Sequence, residues 1–388
     1  MCVIYPSMIA NKLGLASVLT LSMFTFACGS ADDGTDSSEG DERIDYTQSD
    51  YATATPIGKG DGSATSVDFV QIVQYQATRR PSDLAFNPLV PGELWVTNYG
   101  DDTVAILQGV GASTSKTAKV TGELKLDPAA SHFMHHPPAL AFGEKGAWAT
   151  CGDGDNGGNY FMGPTLFSSD PAIFATQNKY TGLGSHLDML HSTSYCRGIA
   201  HVGGNEYFVF NSMQGSIDLY DFHAPHPPGE EDHSDGTIFR YVNGQVAGLD
   251  GAMSHVYYDK ASRLLYIADT GNQRIAVLDP ATGTKGQSFA GSEVIAERRF
   301  VNNAKLTELV KPGTLKAPSG IELYRGVLYV TDAATSRFYA FDPKTGALIR
   351  SLDTGLPKGA LAGFTFGSDS KLYFTNAKAG SIMRIDPK

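Results

Sequence analysis

Basic residues are in short supply. Thirty Lys and Arg stand against 41 Asp and Glu, a net charge of −11 at pH 7. No basic face can therefore be built to neutralise a run of phosphates, which excludes nucleic acid as a partner. Cysteine is scarce as well: four in 388 residues cannot make a disulfide-dense scaffold, and a chain of this length does not need one to build a core. Long apolar runs are missing except for Leu13–Ala27, which is too short to span a bilayer comfortably. The patterns GxxxxGK[ST], HExxH and GxSxG do not occur, so the chain carries no signature of a P-loop nucleotide site, a zincin or a nucleophile elbow. What the sequence does have is 43 Gly, 19 Pro, 41% hydrophobic and 10% aromatic residues. That balance suits strands and turns.

Residues 1–28 stand apart from the rest. Lys12 precedes the apolar run, which ends in Phe26-Ala27-Cys28-Gly29, and Met8 would serve equally well as the start. A charged head, a short apolar stretch and a small residue before a cleavage point read as a signal for export. A Cys directly after Ala resembles the lipobox of bacterial lipoproteins, with Thr25 standing where Leu is usual. The resemblance implies lipid on the Cys28 thiol and a membrane-anchored place in the cell envelope. Gly29, where an Asp would favour the inner membrane, points to the outer one. Residues 29–65 are mostly Gly, Ser, Asp and Thr, and 32–61 hold nine carboxylates against Arg43 and Lys59. So little apolar surface cannot offset the entropy of ordering, and an acidic tether is expected. The remainder, 66–388, is closer to neutral and is expected to be soluble.

One unit organises that remainder. Leu264–Asp279 reads LLYIADTGNQRIAVLD: an apolar strand, a polar turn at Asp269-Thr-Gly-Asn272, and a second alternating strand. The unit returns at 93–107, 206–222, 327–342 and 371–386, and at 147–151 with 164–170, where GDGDNGGNYFMG interrupts it. A shorter strand precedes each copy, at 82–86, 138–142, 197–201, 254–259, 319–323 and 362–366. Six units of about four strands predict an all-β, six-bladed β-propeller. Only three strands remain for the last blade, so VDFVQIVQY (67–75) is expected to close the ring from the N-terminal side.

YIADTGNQRI, LYVTDAATSRF and WVTNYGDDTV resemble NHL-type repeats over about residues 67–388. The resemblance implies the fold and leaves activity open, because propellers of this kind serve as enzymes, ligand binders and adaptor surfaces. Peptidyl-hydroxyglycine amidating lyases are six-bladed and NHL-like, with a zinc held by histidines on alternating inner strands near the axis. His136 and His255 match two of those positions. The third, Ala360-Leu361-Ala362-Gly363, has no histidine, so His191 or His132 would have to substitute.

Strand direction sorts the chemistry onto two faces. The mouth of the channel should gather Arg80, His132, His135, His136, Cys151, the insertion 152–159, His186, His191, Cys196, Arg197 and His255. His136, His191 and His255 are the metal candidates there, since neutral imidazoles suit zinc or copper. Arg80 and Arg197 are placed to hold an anionic ligand. Asp153, Asp155 and Asn156 offer oxygens for calcium. On the opposite face, His223, His226, His233 and Asp235 form a second candidate metal group in a Pro-rich acidic loop. Bland readings compete: Ser185-His-Leu-Asp188 as a capping box, the acidic loop as solvated surface, and Asn98, Asn211, Asp269, Asp332 and Asn376 as turn-bonding strand ends. Cys151 and Cys196 fall at one face of neighbouring blades, which favours a disulfide in an exported protein over a metal or nucleophile role. The function expected is ligand binding at the channel mouth with a divalent metal, as a lyase or hydrolase acting on a small molecule or peptide. The alternative is a non-catalytic envelope scaffold that presents a face to a protein or glycan.

Overall fold

The computed structural model describes residues 56–111, 120–155 and 162–388. The export signal, Cys28, most of the acidic tether and Asn156 lie outside them. Strand β1 (Val67–Gln74) comes first. Blade one follows as β2 (Pro81–Phe86), β3 (Leu94–Asn98), β4 (Thr103–Gln108) and β5 (Thr121–Lys125), and the short helix α1 (Ala130–Phe133) leads to blade two. That blade is β6 (Leu140–Phe142), β7 (Ala147–Thr150), β8 (Thr165–Ser168) and β9 (Asp188–Met189). Blade three is β10 (Cys196–Gly203), β11 (Glu206–Asn211), β12 (Ser216–Asp221) and β13 (Thr237–Tyr241). Blade four begins with β14 (Val256–Asp259), β15 (Leu264–Asp269) and β16 (Arg274–Asp279), detours through β17 (Thr284–Ser288) and β18 (Glu297–Asn302), and ends with β19 (Lys305–Val310). Blade five is β20 (Pro318–Tyr324), β21 (Val327–Asp332), β22 (Arg337–Phe341) and β23 (Leu348–Asp353). Blade six is β24 (Leu361–Phe366), β25 (Leu372–Asn376) and β26 (Ser381–Pro387), with β1 paired antiparallel on the outside of β26 from Val67↔Pro387 to Gln74↔Ser381.

The described chain is all-β and six-bladed. Each second strand is buried on both faces: β3 (LWVTN) and β21 (VLYVTD) are buried at every position. This is why those runs read as nearly continuous apolar sequence, whereas an outer strand such as β5 (TGELK) is exposed at four of its five residues. The core is accordingly a set of wedges, one between each pair of neighbouring sheets. Trp95 of blade one meets Trp148 of blade two at 5.3 Å between ring centroids, with Phe133, Phe167 and Phe174 around them. The inner strands crowd the axis through glycine. A Cβ on Gly198 would stand 2.3 Å from the Ser254 carbonyl oxygen, and one on Gly320 would stand 2.5 Å from that of Ala362.

Three departures from the sequence reading concern connections. β17 and β18 leave blade four after its third strand and extend blade three, with β18 parallel to β13, so that sheet has six strands. The 185–188 segment is not a helical turn. Ser185 bonds Asp127 through its N–H and hydroxyl, and Asp188 lies in β9. The packed chain also extends back past residue 66: Ile57 is buried beside Val67 and Leu352, and Asp353 N–H bonds the Gly62 carbonyl. A lone Ile57 between Pro56 and Gly58 is too weak an apolar signal to mark that boundary. Among the described residues no helix is long and apolar enough to cross a membrane.

Candidate functional site

The strand ends at the channel mouth carry polar side chains that shape the turns. Asn376 Oδ1 accepts from Ala379 N–H, Asn211 Oδ1 from Gln214 N–H, and Asp332 from Ala334 and Thr335 N–H. Asn98 donates to Thr103, and Asp269 accepts from Asn272 and Arg274. These five residues are structural, as the turn-bonding reading holds.

Between the turns, the floor of the mouth is plugged. His255 of blade four reaches across the axis, its Nδ1 3.7 Å from Asp83 of blade one and its Nε2 3.0 Å from the Pro138 carbonyl of blade two. Asp83 in turn accepts from Leu140 N–H. Burial pushes the Asp83 carboxyl up, against the pull of His255. Above the plug, Arg197 is buried and held by Asp153 at 2.9 Å, Asp250 at 3.1 Å and the carbonyls of Leu249 and Ala252. Its guanidinium is therefore taken up within the protein, where the sequence reading had it facing a ligand. Asp153 also accepts from Tyr99 Oη; burial pushes that phenol up to about 12, with the Asp153 charge adding to it. Asp155 bonds Ser194. With Asp153 neutralised by Arg197, Asp153 and Asp155 do not make an anionic cage; the third proposed calcium ligand, Asn156, lies outside the described residues.

Arg80 is different. It is exposed, held by cation–π contact 4.6 Å above the Tyr99 ring, and takes part in no ion pair among the described residues. With Lys378, it lines a pocket of about 240 Å³ contributed by blades one, four, five and six. Apart from Tyr99, the remaining lining is small or apolar, including Ala252, Ala333, Ala362 and Ser319, and contains no carboxylate. Lys378 was not picked out in the sequence. It lies two residues past the strand-end Asn376, a spacing that could have flagged it.

The three channel-mouth histidines do not share a site. His136 Nδ1 donates to the Tyr99 carbonyl (2.8 Å) and its ring stacks on that of Tyr99, His191 pairs with Glu293 (2.7 Å), and His255 forms the plug. Two other groups can offer donors to a metal. Asp102, His135 and His136 have donor atoms within 4.8 Å of one another at the half-exposed rim, but both Asp102 oxygens are engaged, by His135 Nδ1 and His136 N–H. The second group is His186, His226 and His233, mostly buried, also with donors within 4.8 Å. The sequence reading divided this set between two faces. The β12–β13 loop folds back onto blade two, His226 N–H bonding Leu187 O and Gly229 N–H bonding His186 O, so His186 joins His226 and His233. His223 instead pairs with Asp221, and Asp235 accepts from Ala224 N–H, so neither enters the group.

Cys151, just past β7, and Cys196, opening β10, form a disulfide between blades two and three with Cα atoms 6.0 Å apart. That settles both thiols as structural.

No family model matches the chain, and no curated relative matches it. Solved structures do match. An auxiliary nutrient binding protein from Bacteroides thetaiotaomicron shares 10% identity at a TM-score of 0.52, over 82% of this chain and 76% of that one. A protein of unknown function from the same organism shares 9% at 0.51, over 84% and 74%. Virginiamycin B lyase from Staphylococcus aureus shares 12% at 0.48, over 82% and 85%. At these identities the likeness is one of fold. The chain is a six-bladed propeller with neighbours that include a lyase and nutrient-binding proteins.

Proposed function

We propose that this chain is an exported, lipid-anchored propeller whose channel mouth binds a small anionic molecule. The observation that carries the reading is the pairing of Arg80 and Lys378 on a pocket that contains no carboxylate, in a chain of net charge −11. A cation already stacked on Tyr99 is partly immobilised before a ligand arrives, which lowers the ordering cost of binding. Charge-assisted hydrogen bonds from such a group are worth about 1.5–3 kcal/mol each. The plug of His255 and Asp83 closes the channel below, so the ligand would be held at one face rather than passed through. The exported disulfide, the lipobox-like Cys28 and the fold shared with a nutrient-binding protein are consistent with capture of a solute at the cell envelope.

Calorimetry of the detergent-extracted protein against small carboxylates, phosphate esters and their neutral isosteres tests the reading. Anions should bind, more weakly as salt is raised, and Arg80→Ala or Lys378→Ala should each cost about tenfold or more in affinity. Binding of neutral isosteres as tight as that of the anions, unaffected by both substitutions, would refute it. The anchor is tested in the same preparations by fatty-acid labelling, which Cys28→Ala should abolish.

A further inference from the structure

A group of three mostly buried histidines lies away from the channel, where blades two and three meet near their outer strands. His186 comes from the segment entering β9, and His226 and His233 from the β12–β13 loop. Their ring centroids stand 4.9 Å (His186–His226), 5.2 Å (His226–His233) and 6.1 Å (His186–His233) apart.

Each ring is held from behind by the same nitrogen. His186 Nδ1 lies 2.9 Å from the Leu183 carbonyl, His226 Nδ1 2.8 Å from the Pro227 carbonyl, and His233 Nδ1 2.8 Å from Asp188 Oδ1. A carbonyl or carboxylate oxygen can only accept, so the proton of each neutral imidazole is on Nδ1 and the lone pair is on Nε2. Met189 N–H also approaches His233 Nδ1, at 3.5 Å, but the much shorter carboxylate contact decides that tautomer. His186 and His226 are 0% and 8% exposed, and their Nε2 atoms have no hydrogen-bond partner. Burying two acceptors without partners is unfavourable, because each loses its bond to water and gains none in return. Gathering three imidazoles with a donor nitrogen of each within 4.8 Å of the others gains nothing for the two unpartnered Nε2 atoms unless a cation stands between them.

We propose that His186, His226 and His233 bind a divalent transition-metal ion, zinc, through their Nε2 atoms, and that this ion fastens the outer strand of blade two to the β12–β13 loop of blade three. The donor set selects the ion. Three neutral imidazoles suit zinc and leave calcium, which takes oxygen ligands, without a site. Asp188 behind His233 is the carboxylate that commonly orients a metal-bound imidazole, and Phe133 stacks on His186 at 3.8 Å to fix its plane. In a tetrahedral site with Zn–N bonds of 2.0–2.1 Å the donors stand about 3.4 Å apart. The present separations, within 4.8 Å, close to that by ring tilts. A fourth ligand, water or a small anion, can enter on the side of His233, whose side chain is 17% exposed.

Metal content of the full-length protein, extracted in detergent without a His tag and passed through gel filtration, tests the proposal. About one equivalent of zinc is expected in the wild type and in His223→Ala, and at least a tenfold loss of occupancy in His186→Ala and His226→Ala. Should those variants fail to fold, the wild type answers alone. Cobalt added after chelation should give the intense visible bands of a four-coordinate site, and chelation should lower the melting temperature reversibly. Absence of both signals, copper in place of zinc, or metal that leaves with His136→Ala would each overturn the proposal. Anion binding at the channel mouth should persist in His226→Ala, so the two readings fail separately.

Discussion

Glu322 shows how far one side chain can be driven by its place in a propeller. It sits half buried on the inner strand of blade five. Loss of water there raises its carboxyl to about 8, with the Asp83 charge adding to the rise and bonds from Thr365 and the Phe366 backbone opposing it. The folded protein therefore keeps this proton at neutral pH, whereas the unfolded chain releases it near the ordinary glutamate value of about 4.3. As pH rises from 5 to 8 the unfolded state is favoured progressively, by on the order of a few kcal/mol in all. Glu322→Gln should match the wild type near pH 5, exceed it in melting temperature at pH 8, and flatten the fall between them. Equal slopes in calorimetric scans of the two proteins would show that the proton is not held. Nothing in the IELY run around this residue disclosed the shift, because it arises from strands packed around the axis. The strand-end Asn and Asp residues were legible, since each bonds a turn within a few positions of itself. His186, His226 and His233 were legible only as residue types. Their meeting depends on a loop folding across to another blade, a path that no local pattern encodes.

At the scale of elements, blade two is the odd member. Its inner strand has three residues and its outer strand two, against six and eight in β24 and β1 of blade six. Fewer ladder bonds are replaced by cross-links at the same border: the Cys151–Cys196 disulfide, the Asp153–Arg197 ion pair and the His191–Glu293 contact. The disulfide spans a sequence separation of 45, and on the loop-entropy account its removal should cost about 4 kcal/mol, within a measured range of roughly 2–5. Cys151→Ser/Cys196→Ser should lose that much in urea unfolding, and its hydrogen exchange should quicken first in β7–β9. Uniform quickening across all blades would place the weakness elsewhere. The hairpin units themselves were readable because a buried second strand, a polar turn and an alternating third strand are all local. The β17–β18 detour was not, although the connection 280–317 between β16 and β20 is visibly longer than 342–360 between β22 and β24. Extra length announces an insertion without saying which sheet receives it.

At the scale of the molecule, the ring holds together as six apolar wedges, and the wedge between blades five and six is completed by the N-terminal side. Val67 is fully buried there and Phe69 packs edge-on against Phe374, 6.1 Å between centroids. Burying such side chains contributes about 1.5–3 kcal/mol each. A chain that begins after β1 should therefore melt lower by roughly 10 °C or more, at about 2–4 °C per kcal/mol for larger domains, and should self-associate through the bared edge of β26. Light scattering that shows an unchanged monomer with an unchanged melting point would contradict this.

The pairing of Val67 with Pro387 also orders events in time. The first strand of the propeller to be synthesised must wait for β26, the last strand of the propeller, before it has a partner. Until then VDFVQIVQ is an unpaired, β-prone segment with one charge, the type of stretch that recruits other chains. Blades one to five can assemble as they emerge, but the latch closes only at the end, so a chain stalled a few residues short would be an open ring with two live edges.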